Sequence, residues 1–301
     1  MMEAGVPLPL VAPTIPLRSF AAFYRVTDDG RKVSGLRGLA YTLLGAALSG
    51  LSHPVLVIAN VVAVTSLLLF FGAYGNYWDW RLLHQSNATG RLIESTGLSL
   101  RAGLLLCMAP LAVCAAALSL AVSHHISLVP VTLLAVVFSL GVAYIGPAVR
   151  VKTTRLGWLV TPAVAMLLFA EAWTVSGRSF TGFALAVCLL LGLFQLHLEL
   201  LHLLDDATHE QDAPAWCAPA RLQRWLPRIS RVSAVVAAAA AWAHPLLLNS
   251  MAWSLFRARA AGRVQPETLN ADRRAIWRPL VGAQEFAVYA LAAVWTAGWG
   301  R

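Results

Sequence analysis

Residues 195–212 read QLHLELLHLLDDATHEQD and close a long apolar run. Steps of four, three, four and four separate the polar members of this stretch, which places them on one face of an α-helix; they are Gln195, Glu199, His202, Asp206 and Glu210. Most of the other residues are leucine. Acid, amide and imidazole groups are costly at membrane depth, so a stripe of them is a functional hypothesis by default. The stretch therefore predicts the helix around which the site is arranged.

The composition indicates an integral membrane protein. Hydrophobic residues make up 58% of the 301 residues and charged residues 12%, and the mean hydropathy is +0.67, whereas a soluble domain carries about 25% charge. The net charge of +9 comes from loop arginines. In a membrane protein such arginines indicate topology and contact with membrane lipids, and no nucleic acid partner is expected. The cysteines form no CxxC pair, so neither a disulfide framework nor a thiolate metal site is indicated.

Apolar runs predict an all-α bundle of membrane-spanning helices. They cover about residues 37–52, 54–78, 102–123, 126–145, 157–176, 180–204, 229–256 and 281–299. The run at 229–256 is too long for one span, and His244-Pro245 near its middle predicts a tight hairpin. With that hairpin the count is about nine spans, and without it eight. Residues 1–36 are mixed and polar, so we interpret them as a cytoplasmic lead-in to one transmembrane domain, 37–301.

Arginine and lysine predict how the bundle is oriented. The loops at 76–101, 146–156 and 205–231 are rich in these residues, whereas the loops near 52, 124 and 178 carry almost none. By the positive-inside rule the first set is cytoplasmic. The arginine-rich loop at 257–278 joins that set only if 229–256 crosses twice, which favours nine spans. We expect a multi-pass protein of the bacterial cytoplasmic membrane whose active site faces the cytoplasm.

Two acidic clusters are predicted at the cytoplasmic ends of two different spans. Asn76 and Asp79 are three residues apart, on one helical face. The second cluster runs from Asp205 and Asp206 to Asp212. Mg²⁺ prefers carboxylate and amide oxygens together with substrate phosphates, and arginine or lysine can bind the remaining phosphate oxygens. The pattern predicts Mg²⁺ bridging a diphosphate.

Two other interpretations of the polar residues stay open. A zinc site at His202, Asp206 and His209 has suitable ligand types, although no cysteine accompanies it. The buried polar residues of the spans could pair with one another structurally, or reach a central site; they are Glu171, Gln195, His197 and Glu199. In the second case we expect Glu199 or Gln195 to contact an acceptor or take its proton.

The loop after residue 145 carries a phenol and three cations. Gly146-Pro147 breaks the helix at the surface. The residues that would then face the cytoplasm are Tyr144, Arg150, Lys152 and Arg155. Topology alone would account for the cations, so the loop is ambiguous without further context.

Taken in order, these blocks resemble the UbiA superfamily of intramembrane prenyltransferases. The first motif of that family usually reads NDxxD with a further Asp. It is similar to GNYWD at 75–79, where Asp79 matches, Asn76 stands for the first Asp and Leu83 for the later Asp. The RPxxSGxLS-like segment of the family is similar to RLIESTGLS, which begins at Arg91.

The resemblance continues in the second half of the chain. The YxxPPxRLK loop of the family is matched by Tyr144, Pro147, Arg150 and Lys152. The second acidic motif usually reads NDxxDxxxD. In the similar segment that starts at His202, the acidic positions hold Asp206 and Glu210.

The resemblance implies a helical bundle with a central cavity open to lipid. An isoprenoid diphosphate would be bound through Mg²⁺ and ionise to an allylic cation, which an acceptor, aromatic or lipid, would attack. The carboxylates assigned to catalysis are Asp79, Asp206 and Glu210. The same three residues and Asn76 are assigned as metal ligands, and Asp205 is added to the cofactor-binding residues. Substrate contacts are assigned to Arg81, Arg91, Tyr144, Arg150, Lys152, Arg155, Glu199, His202 and His209. Aromatic walls that could stabilise the cation are expected from Phe70, Phe71, Tyr74, Trp78 and Trp80.

The predicted activity is Mg²⁺-dependent transfer of a prenyl group to an acceptor within the membrane. One alternative is a terpene cyclase on the same scaffold, in which the substrate's own double bond replaces the acceptor. A second is a non-catalytic lipid-binding protein or a transporter. The polar clusters are predicted at one membrane face, whereas transporters build their sites near the midplane, which argues against transport.

Overall fold

The computed structural model describes residues 23–24, 27–28, 32–33, 37–83, 99–124, 126–146, 149, 151, 154–209, 218–242, 245 and 247–261. Within these ranges a short antiparallel hairpin, β1 (Thr27–Asp28) and β2 (Lys32–Val33), precedes eight helices. The helices are α1 (Arg37–Leu48), α2 (Pro54–Leu83), α3 (Leu100–Ser123), α4 (Leu128–Ile145), α5 (Gly157–Val175), α6 (Gly182–His209), α7 (Pro219–Ala241) and α8 (Leu247–Ala261). The all-α bundle is confirmed, and the small hairpin was not predicted.

Five of the described helices, α2 to α6, are long and apolar enough to cross a membrane. Helix α1 is apolar but has only 12 residues, about 18 Å, which is shorter than a hydrocarbon core of about 30 Å. The run at 229–256 divides as expected, since α7 ends at Ala241 and α8 begins at Leu247. The count of nine spans is not confirmed, and the span expected at 281–299 lies outside the described residues.

Two helices organise the packing. Helix α2 contacts α1, α3, α4 and α5, and α5 contacts α1, α4 and α6. The core between them contains side chains that are almost fully enclosed: Leu67, Leu168, Phe169 and Leu191. Helices α7 and α8 pair with each other, and α7 packs on α6. Helices α7 and α8 are thereby attached to the bundle along α6.

Small residues permit the closest helix contacts, as is common in membrane bundles. A Cβ atom added at Gly45 in α1 would lie 2.5 Å from the carbonyl oxygen of Phe169 in α5. At Gly141 in α4 it would overlap the ring of Phe71 in α2. At Gly45 the close atom belongs to the backbone, so a side chain there would push α1 away from α5, whereas at Gly141 the ring of Phe71 would have to turn aside.

Specific contacts show which helix ends lie together. The hydroxyl of Tyr74, late in α2, would be 3.2 Å from a Cβ at Gly146, which ends α4. Tyr144, at the end of α4, bonds to Glu199, late in α6, and Glu199 also bonds to Thr161 near the start of α5. The final turns of α2, α4 and α6 and the first turn of α5 are therefore at one end of the bundle, which we call the motif end.

Candidate functional site

The first predicted motif lies in the last turns of α2. Asn76 is buried, and its side-chain nitrogen donates to the backbone carbonyl of Phe23 at 2.9 Å. Asp79 follows one turn later and Arg81 lies in the final turn; their side chains are outside the described part of the chain. Asn76 was predicted as a metal ligand, and its contact with the amino-terminal segment had no sequence signal.

The second predicted motif lies in the last turns of α6. The helix is continuous from Gly182 to His209, so the spacing that predicted one helical face holds through Asp206. The described part of the chain does not include the side chains of His202, Asp205, Asp206 and His209, or any of Glu210. The structure thus places both motif segments at the motif end and leaves their ligand roles as predictions.

A buried carboxylate lies one to two turns before the second motif. Glu199 is 7% exposed. One of its oxygens accepts from the hydroxyl of Tyr144 at 3.2 Å and the other accepts from the hydroxyl of Thr161 at 3.0 Å. Three helices therefore meet at this carboxylate. Tyr144 and Glu199 were both predicted as site residues, whereas Thr161 was missed because a single threonine in an apolar helix is unremarkable in sequence.

The other polar residues predicted in the spans, half-buried Gln195 and buried Glu171, each contact a different helix. Gln195 in α6 accepts from the hydroxyl of Tyr41 in α1 at 3.1 Å. Glu171 in α5 lies against Asn60 in α2. With the Asn60 amide oriented so that its nitrogen faces the carboxylate, it donates to both oxygens at 2.9 and 3.2 Å. Gln195 therefore belongs to the side of α6 that carries Glu199, and Glu171 lies towards the opposite end of the bundle.

A second polar group lies where α7 and α8 join α6. The imidazole Nδ1 of His197 is 3.2 Å from the hydroxyl of Ser230 in α7. The guanidinium of Arg257 in α8 is 5.0 Å from the ring centre of Phe194 and donates to Ser254 at 3.0 Å. Helix α6 is thus polar on two sides, and only the side with Gln195 and Glu199 was recognised as a stripe.

Aromatic rings follow α2 towards the first motif. Phe70 stacks on Tyr74 with ring centres 5.2 Å apart and contacts Phe138 of α4 at 5.6 Å. Tyr74 meets Trp78 edge to face at 5.9 Å. The expected aromatic cluster is confirmed for Phe70, Phe71, Tyr74 and Trp78, while the side chain of Trp80 is outside the described part of the chain. Such a series of rings can shield and stabilise a cation.

The predicted cations are described only in part. Arg155 is exposed beside the first turn of α5, and the indole of Trp158 donates to its backbone carbonyl. The dipole at a helix amino terminus favours anions, while two N–H groups at the start of α5, those of Gly157 and Leu159, already donate to backbone carbonyls. Arg91, Arg150 and Lys152 lie outside the described residues.

The donor chemistry at the motif end fits Mg²⁺. The carboxylates of two motifs and the amide of Asn76 are all oxygen donors, which Mg²⁺ prefers. The segments that carry them end helices, and the carboxyl end of a helix dipole favours a cation. Among the side chains that the structure describes, no three His, Cys, Asp or Glu residues are grouped so as to hold a metal ion. The fit therefore rests on donor type and helix placement.

Comparison with solved structures gives the same fold. A UbiA homolog from Archaeoglobus fulgidus bound to DMAPP and Mg²⁺ has a TM-score of 0.68 and 15% identity, covering 92% of this chain and 99% of that one. The same kind of homolog bound to GPP and Mg²⁺ has a TM-score of 0.65 and 14% identity, with the same coverage. No family model and no curated protein matches the chain by sequence. The expected resemblance is confirmed at the level of the fold.

Proposed function

We propose that this chain is a member of the UbiA superfamily that transfers a prenyl group from an isoprenoid diphosphate to an acceptor within the membrane. The observation that carries the proposal is the placement of both acidic segments at one end of a bundle with this fold. The likeness supports the substrate class, because the two homolog structures hold GPP and DMAPP with Mg²⁺. The protein would act in the bacterial cytoplasmic membrane, with the motif end towards the cytoplasm.

The carboxylates of α2 and α6 would hold Mg²⁺. Asp79 would supply one from the last turns of α2 and Asp206 would supply another from the last turns of α6, with Asp205 next to it in sequence. Glu210, which follows α6 in the sequence, would supply the third. The amide oxygen of Asn76 completes the set. A zinc site is the weaker interpretation, because the donors beyond His202 and His209 are oxygens. Bound Mg²⁺ would neutralise the charge that develops on the leaving diphosphate.

The diphosphate would be oriented by the cations and the helix end around it. The first turn of α5 lies beside the exposed Arg155, and the dipole of the helix favours an anion at this end. Arg81, at the end of α2, is one turn or less from Asp79. Cations from the remaining loops would complete the phosphate contacts; they are Arg91, Arg150 and Lys152. His202 and His209, in the last turns of α6, would add to these contacts. Fixed positive charge aimed at the leaving group is expected to contribute most to the rate of this reaction.

The chain's apolar and aromatic residues would protect the allylic cation after the carbon–oxygen bond breaks. Phe70, Tyr74 and Phe138 form a continuous group between α2 and α4. Their faces attract positive charge and their bulk excludes water, which would otherwise capture the cation. The prenyl tail would lie along this group, away from the motif end.

Glu199 would act on the acceptor. Its two hydroxyl donors, Tyr144 and Thr161, hold the carboxylate in one orientation. A carboxylate oriented in this way can bind an acceptor hydroxyl or take the proton that the acceptor loses as the new bond forms. Gln195, one turn earlier on α6, would contact the same acceptor.

Product analysis separates transfer from cyclisation. Purified protein in detergent would be incubated with geranyl, farnesyl and geranylgeranyl diphosphates, with Mg²⁺ or with EDTA. Membrane lipid extract would be either present or absent. We expect Mg²⁺-dependent prenylated lipid only when extract is added. A hydrocarbon product formed without extract would instead identify a terpene cyclase.

A negative result is equally informative. Tight binding of the diphosphate without any release of pyrophosphate, in the presence or absence of extract, would contradict the enzyme proposal. It would leave a non-catalytic lipid-binding protein with the same fold. Transport of the diphosphate into sealed vesicles would contradict it in a different way.

A further inference from the structure

Phe23 is bonded directly to the first motif through Asn76. Phe23 and Tyr24 are only 3% and 6% exposed, although they belong to a lead-in that is polar in sequence. They pack between α2 and α3, against Ala73, Tyr77 and Cys107. We call these two residues the docked pair.

Two hydrogen bonds hold the docked pair in place. The hydroxyl of Tyr24 donates to the carbonyl of Leu106 in α3 at 2.8 Å, and the carbonyl of Phe23 accepts from Asn76 in α2. A phenol is protonated at neutral pH and can donate, and burial raises the pKa of Tyr24 further, with Cys107 adding to the shift. Each residue of the pair is thus tied to a different helix.

The bond from Asn76 can run in only one direction. A backbone carbonyl is solely an acceptor, so the side-chain atom that faces Phe23 must be the amide nitrogen. Because the nitrogen and oxygen of an amide point away from each other, this bond also determines where the Asn76 oxygen faces. Asp79 lies three residues further, on the same helical face.

We infer that the docked pair positions the first motif, and that Asn76 replaces the acidic residue of the related motif because this position must donate to Phe23. This inference rests on the proposed function for the meaning of the motif. An aspartate at 76 would set a carboxylate against a carbonyl, two acceptors without a hydrogen between them. With asparagine at position 76, the metal ligands carry one negative charge fewer, and the side chain can instead donate to the carbonyl of Phe23.

The docked pair in this way acts on the first motif through its contact with Asn76. Tyr24 and Phe23 are positioning residues, acting through Asn76. A weaker contact between the docked pair and the helices is expected to let the amide of Asn76 rotate. Its oxygen would then no longer be held in one orientation, and Mg²⁺ binding at the first motif would be weaker. A purely structural role would instead lower thermal stability and leave the Mg²⁺ requirement unchanged.

The first test is attachment of the segment, which does not require activity. Wild type, Asn76→Asp and Tyr24→Phe would be compared in detergent by hydrogen exchange at residues 23–24 and by trypsin cleavage after Arg25. Losing one buried hydrogen bond should raise the rates of hydrogen exchange and of trypsin cleavage about fivefold or more. Asn76→Asp should have the larger effect, because it leaves two acceptors facing each other. Exchange and cleavage unchanged in Asn76→Asp would overturn the inference.

The second test is the Mg²⁺ requirement in Tyr24→Phe, which removes one hydroxyl and should fold. We expect the Mg²⁺ concentration for half-maximal pyrophosphate release to rise about threefold or more, as one lost neutral hydrogen bond allows. An unchanged half-maximal concentration would overturn the positioning role. If wild type releases no pyrophosphate while Asn76→Asp still frees the segment, the proposed function fails and the docking contact stands.

Discussion

The hydroxyl of Tyr144 donates to a carboxylate oxygen of Glu199 at 3.2 Å, across 55 positions of the sequence. This bond joins the end of α4 to α6, and Thr161 adds α5 through the other oxygen. The relationship connects the last turn of α4, which precedes Arg150 and Lys152 in the sequence, to the helix that carries the second motif. The proposed action of Glu199 on the acceptor depends on this contact.

Replacing Glu199 by Gln should slow prenyl transfer by about 10²-fold, the lower range for loss of general acid–base catalysis. The amide keeps the shape and can still accept from one hydroxyl, so the fold and diphosphate binding should persist. The measurement is prenylated product formed with lipid extract. Glu171→Gln is the matched control, because that carboxylate is equally buried but bonds to Asn60. Equal losses in both variants would contradict an acceptor role for Glu199.

Replacing Phe70 by Leu should lower turnover about threefold to thirtyfold, since a cation–π contact contributes about 0.5–2 kcal/mol. Diphosphate affinity should change little, because Phe70 lies more than one helical turn before Asn76 in the first motif. Phe180→Leu is the control, in a residue that contacts Phe169 and Trp173 away from the motif end. A weaker diphosphate affinity with unchanged turnover would contradict the shielding role.

Replacing Gly45 by Ala should destabilise the bundle by about 1–3 kcal/mol, the usual cost of overpacking. The new methyl group would meet the carbonyl of Phe169 in α5, which has no room to yield. The check is the thermal midpoint in detergent. Gly182→Ala is the control, since nothing lies within 4 Å of a Cβ there. Equal midpoints for wild type and Gly45→Ala would show that α1 and α5 are less closely packed than described.

The orientation can be measured with single cysteines in a Cys217→Ser background, because Cys107, Cys114 and Cys188 are buried. Val149, at the motif end, and Ser127, at the opposite end, are both exposed. An impermeant maleimide applied to intact bacterial cells should label Ser127→Cys and spare Val149→Cys. The reverse pattern would place the motif end outside the cytoplasm.

Much of the bundle could be predicted because membrane helices have a strong local signal. Apolar runs predicted α2 to α6 within a few residues at their starts, and the break between α7 and α8 includes the expected His244-Pro245 positions. The ends were less predictable. Helix α2 continues to Leu83 and α6 to His209, because a helix can extend through polar residues once packing and caps support it.

The site could be predicted only where chemistry is visible along the chain. The spacing of Gln195, Glu199 and Asp206 revealed a helical stripe, but not what each side chain meets. Thr161 and the carbonyl of Phe23 were missed, because a hydroxyl among apolar residues and a backbone atom leave no pattern in sequence. Long-range partners of this kind depend on tertiary packing, which periodicity does not encode.

The central claim is that carboxylates from α2 and α6 act together on an isoprenoid diphosphate. It is tested most directly by measuring the Mg²⁺-dependent release of pyrophosphate from an isoprenoid diphosphate by purified wild type, Asp79→Asn and Asp206→Asn. Asp28→Asn, which changes an acidic residue outside both motifs, is the control. We predict release by wild type and the control, and a loss of about 10²-fold or more in each motif variant, as expected when charge stabilisation of a leaving group is removed. Release that persists in both motif variants, or that survives EDTA in wild type, would contradict the claim.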